Sequence, residues 1–314
     1  MPAKRMVRAI SSAEIESYNR DGVVWLNDII DPAWAEFVIA AITDLRSNPD
    51  AGHALDFTGL RLAAESEAQP EFTASGAWAD ENREFAATNA LGRPQLVDIG
   101  DGELGHFLSV TGAFLTHPMI REVVAASPLG EVAATLMGSR RVFVYGDQVL
   151  VKPPRTAEKT VWHQDLPYNH VMGEQVCAVR LPCQVETDDI GPVSYVAGSH
   201  ADGTVYKVNF FISDGVNPED DGADVPEIGE GDPAIVTCYP KPGDLVVHHL
   251  RTLHAGGANV SDSKTRQAIT VRYCGDDARR RFRKFAPPQD MDNLQDGDSF
   301  DQDPENHPMA WPRA

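Results

Sequence analysis

Between residues 140 and 275 the chain reads as short, apolar, β-branched segments separated by turn signals, and few folds tolerate that spacing. Val142, Phe143, Val144, Tyr145, Val149, Leu150 and Val151 are strand formers and predict the strand that leads into the core. Lys241-Pro242-Gly243-Asp244 is a turn, and Leu245-Val246-Val247 after it reads as a buried strand. The pattern favours a sandwich or barrel over a parallel α/β sheet. At 314 residues the chain is long enough to bury a sizeable core.

Into this strand pattern the sequence sets Val161-Trp162-His163-Gln164-Asp165-Leu166-Pro167-Tyr168. Residues i and i+2 of a strand share a face, so His163 and Asp165 would aim at one point. The pair is two-thirds of a 2-His-1-carboxylate set, which holds non-haem Fe(II) and leaves coordination positions open. A His-x-Asp alone is as readily a surface histidine and a turn aspartate, so the reading depends on a third ligand. Three candidates follow the strand at 245–247: His248, His249 and His254. Beyond them come Ala255-Gly256-Gly257-Ala258-Asn259 and then Arg266.

Four pieces now stand in order: Trp162-His163-Gln164-Asp165; Gly191-Pro192 running to Ala197-Gly198-Ser199-His200; Pro242-Gly243-Asp244 leading to His254; and Arg266. In this order they resemble the phytanoyl-CoA dioxygenase family of Fe(II)/2-oxoglutarate-dependent oxygenases. Glu14-Ile15 through Asp21-Gly22-Val23-Val24 resembles that family's opening, so the likeness covers roughly residues 10 to 275. It implies a mainly β (α+β) fold, a double-stranded β-helix (cupin-like jelly roll) with N-terminal helices packed outside one sheet. It implies His163, Asp165 and His254 as the catalytic metal ligands, leaving three positions for 2-oxoglutarate and O2. His254 is preferred over His248 and His249 because it occupies the family position, and one of those two would orient a ligand from behind.

The resemblance also implies that Arg266 binds the distal carboxylate of 2-oxoglutarate, for which a guanidinium offers a planar fork. Gln148 and Lys152 fall at family positions that line the cosubstrate or substrate pocket. On a regular strand Arg272 shares the face of Arg266 and would also enter the barrel. Tyr168 and Arg272 are expected substrate contacts. Arg180 departs from the tryptophan that many relatives carry. A charge among Val176, Ala178, Val179 and Leu181 needs a partner, either an anionic substrate group or Glu186. A second departure is Gly256, where relatives often place a serine that helps hold 2-oxoglutarate.

Composition limits the partners. The formal charge of −20, from 47 acidic and 27 basic residues, repels phosphate backbones and argues against nucleic acid. No apolar run approaches the roughly 18 residues of a membrane span. Met1-Pro2-Ala3-Lys4-Arg5 is not followed by an apolar stretch, so no secretion leader is expected. Four scattered cysteines without CxxC spacing suggest reduced thiols and a cytoplasmic protein. The sequence does not speak to oligomeric state.

Along the N-terminal part, Ser11 to Glu14 predicts a capped helix ended by Asp21-Gly22, then a strand at Val23–Leu26. Asp31-Pro32 predicts a second helix, with Trp34, Phe37, Val38, Ala41, Ile42 and Leu45 as its packing stripe. Residues 48–105, with aromatics at Phe57, Phe72, Trp78 and Phe85, predict irregular structure with short helices, partly covering the site. Residues 107–136 read as helical with a break at Ser127-Pro128.

One oxygenase domain is expected over 1–314: helical and irregular to 139, jelly-roll core 140–275 with an insertion at 203–237, and an acidic tail from 276. The insertion carries eight Asp/Glu and no Lys or Arg between Asp214 and Asp232, and reads as a solvated loop or as a lid. The cluster from Arg279 to Lys284 reads as internal counter-charge to the acidic surface.

The function implied is hydroxylation of a small organic molecule, with 2-oxoglutarate and O2 converted to succinate and CO2. Halogenating relatives replace the triad carboxylate by a small residue to admit chloride, and Asp165 is present here. The alternatives are a desaturase, epoxidase or halogenase, or a non-catalytic cupin-like binding protein.

Overall fold

The structure, a computed structural model, describes residues 2–47, 52–65, 93–287 and 293–313. Phe72, Trp78 and Phe85 lie outside them.

Local rules set the N-terminal elements. Helix α1 (Ser12–Asp21) opens on a capping box: Ser11 Oγ accepts from the Glu14 amide and Glu14 accepts from the Ser11 amide. Gly22, at φ 70°, ends it in the left-handed conformation. The chain then turns into strand β1 (Val23–Leu26). Asp31 accepts from the Ala33 amide and opens α2 (Ala33–Ser47), whose Trp34, Val38, Ala41, Ile42 and Leu45 are buried.

After β2 (His53–Asp56) and α3 (Phe57–Glu65) the structure departs from expectation. Leu108–Thr111, read as helical, is strand β3 and pairs with β4 (Val142–Lys152). Leu108 to Thr111 carries β-branched Val110 and Thr111, and pairing with β4 satisfies its backbone groups. Two helices follow β3, α4 (Pro118–Ala126) and α5 (Leu129–Met137), broken at Ser127-Pro128 as the sequence predicts.

The remaining strands are β5 (Thr160–His163), β6 (Val171–Met172), β7 (Val176–Pro182), β8 (Val193–Val196), β9 (Ile235–Cys238), β10 (Leu245–His249), β11 (His254–Gly256), β12 (Arg266–Cys274), β13 (Arg279–Arg280) and β14 (Met309–Trp311). They form an antiparallel jelly roll. The large sheet runs β1-β10-β7-β12-β4-β3-β2, with β14 also on β4, and the small sheet runs β5-β11-β8-β9.

Strand alternation in the large sheet separates the core from the site. Val149 and Val151 of β4, Val179 and Leu181 of β7, Leu245 and Val247 of β10, and Ile269, Val271 and Tyr273 of β12 join the helices in one apolar cluster. Each such buried side chain contributes about 1.5–3 kcal/mol. The intervening residues, Gln148, Leu150 and Lys152, Arg180, His248, and Arg266, Thr270 and Arg272, line a pocket on the opposite face.

The insertion and the tail are both tied down in part. Val208, Phe210 and Ile212 of the insertion are buried, and the tail contributes β14 and buried Phe300 and His307. The basic cluster serves both the main chain and the acidic insertion: Arg283 donates to the carbonyls of Asn169 and Val171, and Lys284 pairs with Glu219 at 2.8 Å. All four cysteines are buried and unbridged.

Candidate active site

His163 ends β5, opposite His254 at the start of β11. Asp165 is not on the strand, as the i, i+2 argument assumes. It lies just past the end of β5 in helical conformation (φ −74°, ψ −33°), where a short turn over Leu166–Tyr168 begins. The turn still brings it to the two imidazoles: one ligand atom from each of His163, Asp165 and His254 lies within 4.8 Å of the others. The imidazole rings of His163 and His254 stand 4.2 Å apart.

The second ring nitrogens fix the tautomers. His163 Nδ1 lies 2.7 Å from the Val161 carbonyl and His254 Nδ1 3.0 Å from that of Thr252. A carbonyl only accepts, so both Nδ1 atoms carry hydrogen and both Nε2 lone pairs are left for a metal. Burial holds both imidazoles below their usual pKa, His254 well below, in the neutral form that ligates. Two neutral imidazole nitrogens and one carboxylate converging in a buried site fit Fe(II).

Asp165 is held from behind at both oxygens. Arg272 donates to Oδ1 at 2.6 Å, and His248 Nε2 lies 3.1 Å from Oδ2. Burial alone would raise the carboxyl, but Arg272 and His248 offset it and keep Asp165 well below the usual carboxylate range. Arg272 also donates to Gln148 Oε1 at 2.9 Å, while Gln148 Nε2 donates to Ser109. His249 points away: its Nδ1 accepts from the Arg251 amide and its Nε2 donates to the Glu174 carbonyl.

The far end of the pocket is cationic. Arg266 and Lys152 face each other across the β12–β4 register. Lys152 donates to the carbonyls of Glu158 and Gly257, each at 2.8 Å, and sits 4.3 Å from the centre of the Phe107 ring. Burial and the repulsion of Arg266 push its pKa well down. Arg266 is itself lowered to about 10, first by burial and then by Arg180 against the pull of Glu186. Arg180 pairs with Glu186, the second of its two expected partners.

The absent serine at Gly256 has a structural reason. Thr160 Oγ1 accepts from the Gly256 amide at 2.5 Å, and a Cβ on Gly256 would stand 2.7 Å from that hydroxyl. Thr160 and His163, three apart, both line the pocket because β5 has two residues against the single Ala255 of β11, a β-bulge.

The insertion closes one wall. Phe211, at φ 55°, packs its ring 5.0 Å from that of His163 and stacks on Phe57 at 5.2 Å. A bulky residue at positive φ is costly and is held by its surroundings. Here the Val161 amide donates to its carbonyl, and its own amide donates to Asn209 Oδ1. Tyr168, expected to contact substrate, stands edge-on to His163 with ring centroids 5.8 Å apart and latches this strap. Its hydroxyl donates to Asn209 Oδ1 at 2.6 Å and accepts from the Asn209 amide, and it is not among the pocket-lining residues.

The structure therefore gathers His163, Asp165, His254, Gln148, Lys152, Arg180, Arg266 and Arg272 around one pocket. Sequence reasoning missed Thr160, Phe107 and Phe211 as lining residues. The signal for Phe211 was Phe210-Phe211-Ile212, an apolar triplet inside an acidic insertion.

Comparison with known proteins places this geometry. Among solved structures, the fold is similar to the non-heme α-ketoglutarate-dependent carbocyclase SnoK from nogalamycin biosynthesis (TM-score 0.60, 20% identity, 98% of this chain and 99% of that one). It is similar to the epimerase SnoN in complex with Fe3+, α-ketoglutarate and nogalamycin RO (TM-score 0.61, 19% identity, 95% and 97%). It is also similar to EctD from S. alaskensis with 2-oxoglutarate and 5-hydroxyectoine (TM-score 0.57, 18% identity, 95% and 90%). No curated protein matches the sequence. Among the described residues no helix is long and apolar enough to cross a membrane. The family model described as phytanoyl-CoA dioxygenase (PhyH) matches residues 18–268, most of the chain, with all three metal-ligand candidates and Arg266 inside the match. The chain thus belongs to the phytanoyl-CoA dioxygenase family, and is an iron- and 2-oxoglutarate-dependent oxygenase.

Proposed function

We propose that this oxygenase hydroxylates a C–H bond of a small organic molecule, with 2-oxoglutarate and O2 converted to succinate and CO2. The observation that carries the reading is the complete donor set, above all the presence of Asp165 within 4.8 Å of both histidines. When bound, iron supplies the oxidising chemistry that 2-oxoglutarate and O2 make possible.

The chain's own residues do the rest. His163, Asp165 and His254 hold the metal, and Arg272 and His248 fix the carboxylate that would otherwise swing. Arg266 takes the distal carboxylate of 2-oxoglutarate, flanked by Lys152 and the Thr160 hydroxyl. Arg272 and Gln148, on the pocket side of β12 and β4, form the polar edge that meets substrate. Phe211, Phe107 and Leu150 make the apolar wall and exclude water.

The test is a metabolite screen for substrate-stimulated succinate formation, followed by turnover in isotope-labelled dioxygen with excess chloride. Label in the product supports hydroxylation. A chlorinated product would overturn the reading. So would a product without added oxygen, a closed ring or an inverted centre of the kinds named for the carbocyclase and the epimerase of similar fold.

A further inference from the structure

The charge balance around Arg266 carries a further inference, which rests on the reading of Arg266 as the anchor of 2-oxoglutarate. Three charged side chains meet at the wall of the pocket: Arg180 of β7, Arg266 of β12, and Glu186 beyond the end of β7. All are buried, at 3%, 6% and 2% exposure. Glu186 Oε1 accepts from Arg180 Nη2 and lies 3.5 Å from Arg266 Nε. The Glu186 amide donates to the Pro240 carbonyl at 2.9 Å, so the carboxylate is mounted on fixed backbone.

This contact uses the Nε of Arg266 and leaves its two terminal nitrogens for a ligand's planar carboxylate. It also creates a problem. A carboxylate that fixes a buried arginine cancels the charge that the arginine is there to offer. Two guanidiniums less one carboxylate leave a single net positive charge, and without Arg180 none would remain. Lys152 does not make up the difference, since burial and Arg266 disfavour its charged form. Its carboxylate neighbour Glu158 is paired with Arg61. Arg180 Nε, Glu186 Oε2 and the Tyr195 hydroxyl, all buried, have no hydrogen-bond partner among the described residues, so this wall of the pocket carries polar capacity beyond its internal pairs.

We propose that Arg180 is a positioning residue: it neutralises Glu186, so that Glu186 orients Arg266 while the site keeps one positive charge for the distal carboxylate of 2-oxoglutarate. The role follows from charge count and not from direct contact with the ligand, which makes it separable by a double substitution.

The experiment measures the dissociation constant of 2-oxoglutarate on the anaerobic Fe(II)-loaded protein, from the visible charge-transfer band, with melting temperature and iron affinity recorded for each variant. Arg180→Gln, with no net charge left, should bind at least about tenfold more weakly. Glu186→Gln, with two positive charges, should bind no more than about threefold more weakly than the natural chain. The double variant Arg180→Gln/Glu186→Gln returns to one positive charge and should recover to within about threefold. Arg180→Gln binding as tightly as the natural chain, or a double variant as weak as Arg180→Gln, would overturn the proposal. Should Arg180→Gln fail to fold, the double variant decides by the same threshold. Arg266→Gln separates the two claims. If it leaves binding unchanged, the anchor assignment falls and this proposal with it. If it abolishes binding while Arg180→Gln does nothing, only the proposal falls.

Discussion

The two ends of the pocket are built differently. At the metal end, three candidate ligands come from two neighbouring strands and the turn that follows one of them, and each has a dedicated partner behind it. Val161 and Thr252 carbonyls hold the histidines, and Arg272 and His248 hold Asp165. At the cation end, Lys152, Arg180 and Arg266 are spread over three strands of the large sheet, and their partners come from loops: Glu186, and the carbonyls of Glu158 and Gly257. At the metal end local carbonyls fix the two histidines while β10 and β12 hold the aspartate, whereas the cation end is set by the register of the large sheet and by charge balance. Removing a candidate ligand at the first should therefore abolish metal binding, while substitutions at the second should weaken 2-oxoglutarate binding by graded amounts.

The largest expected effect is at the metal end. His254→Ala should abolish tight Fe(II) binding and turnover, while His249→Ala, whose ring faces Arg251 and Glu174, should leave iron binding intact. Equilibrium metal titration of both variants checks this, and the reverse pattern would reassign the third ligand. At the cation end, Arg266→Ala should weaken 2-oxoglutarate binding by roughly 2–5 kcal/mol with iron still bound, because the loss leaves buried charge unpaired. A competition titration reads that value directly.

Smaller effects sharpen the contrast. His248→Leu removes a partner of Asp165 without removing a ligand, and should lower iron affinity about 10–100-fold. No change in iron affinity would mean that Arg272 alone positions the carboxylate. The smallest effect concerns neither end. Asp147 lies on the helix-facing side of β4, accepts from the Phe114 amide, and is raised to about 7, chiefly by burial. An acid raised in the folded state contributes stability below its unfolded pKa, and that stability is lost as pH rises through 7. Melting between pH 6 and pH 8 should show a loss of about 1 kcal/mol, which Asp147→Asn removes. A pH-independent difference between the two proteins would contradict it.

The same contrast explains what the sequence made legible. His163 and Asp165 could be paired because they are two apart, although the pairing works through a turn and not through the strand face that the spacing suggests. The sheet alternation that sends Arg266 and Arg272 into the barrel was readable because β12 is regular through those positions. Thr160 was not readable, since the β-bulge that turns it inward depends on the register with β11, and register is a tertiary fact. Strand β3 was mistaken for helix because its four residues carry little periodicity, and pairing with β4 decided the outcome. The acidic insertion was read by its charge, but Phe211 is the centre of its apolar triplet and packs where Phe57 and Phe107 offer a surface.

The central claim is that one His-Asp-His set and one arginine define an oxygenase centre with a metal end and a carboxylate end. Anaerobic titration of the protein with Fe(II), followed by 2-oxoglutarate, tests it most directly. The account predicts one iron per chain and a weak visible band that grows with 2-oxoglutarate in the natural chain. It predicts no iron in His254→Ala, and iron but no band at the same 2-oxoglutarate concentration in Arg266→Ala. Iron bound equally by His254→Ala, or a natural chain that binds iron and never develops the band, would contradict it.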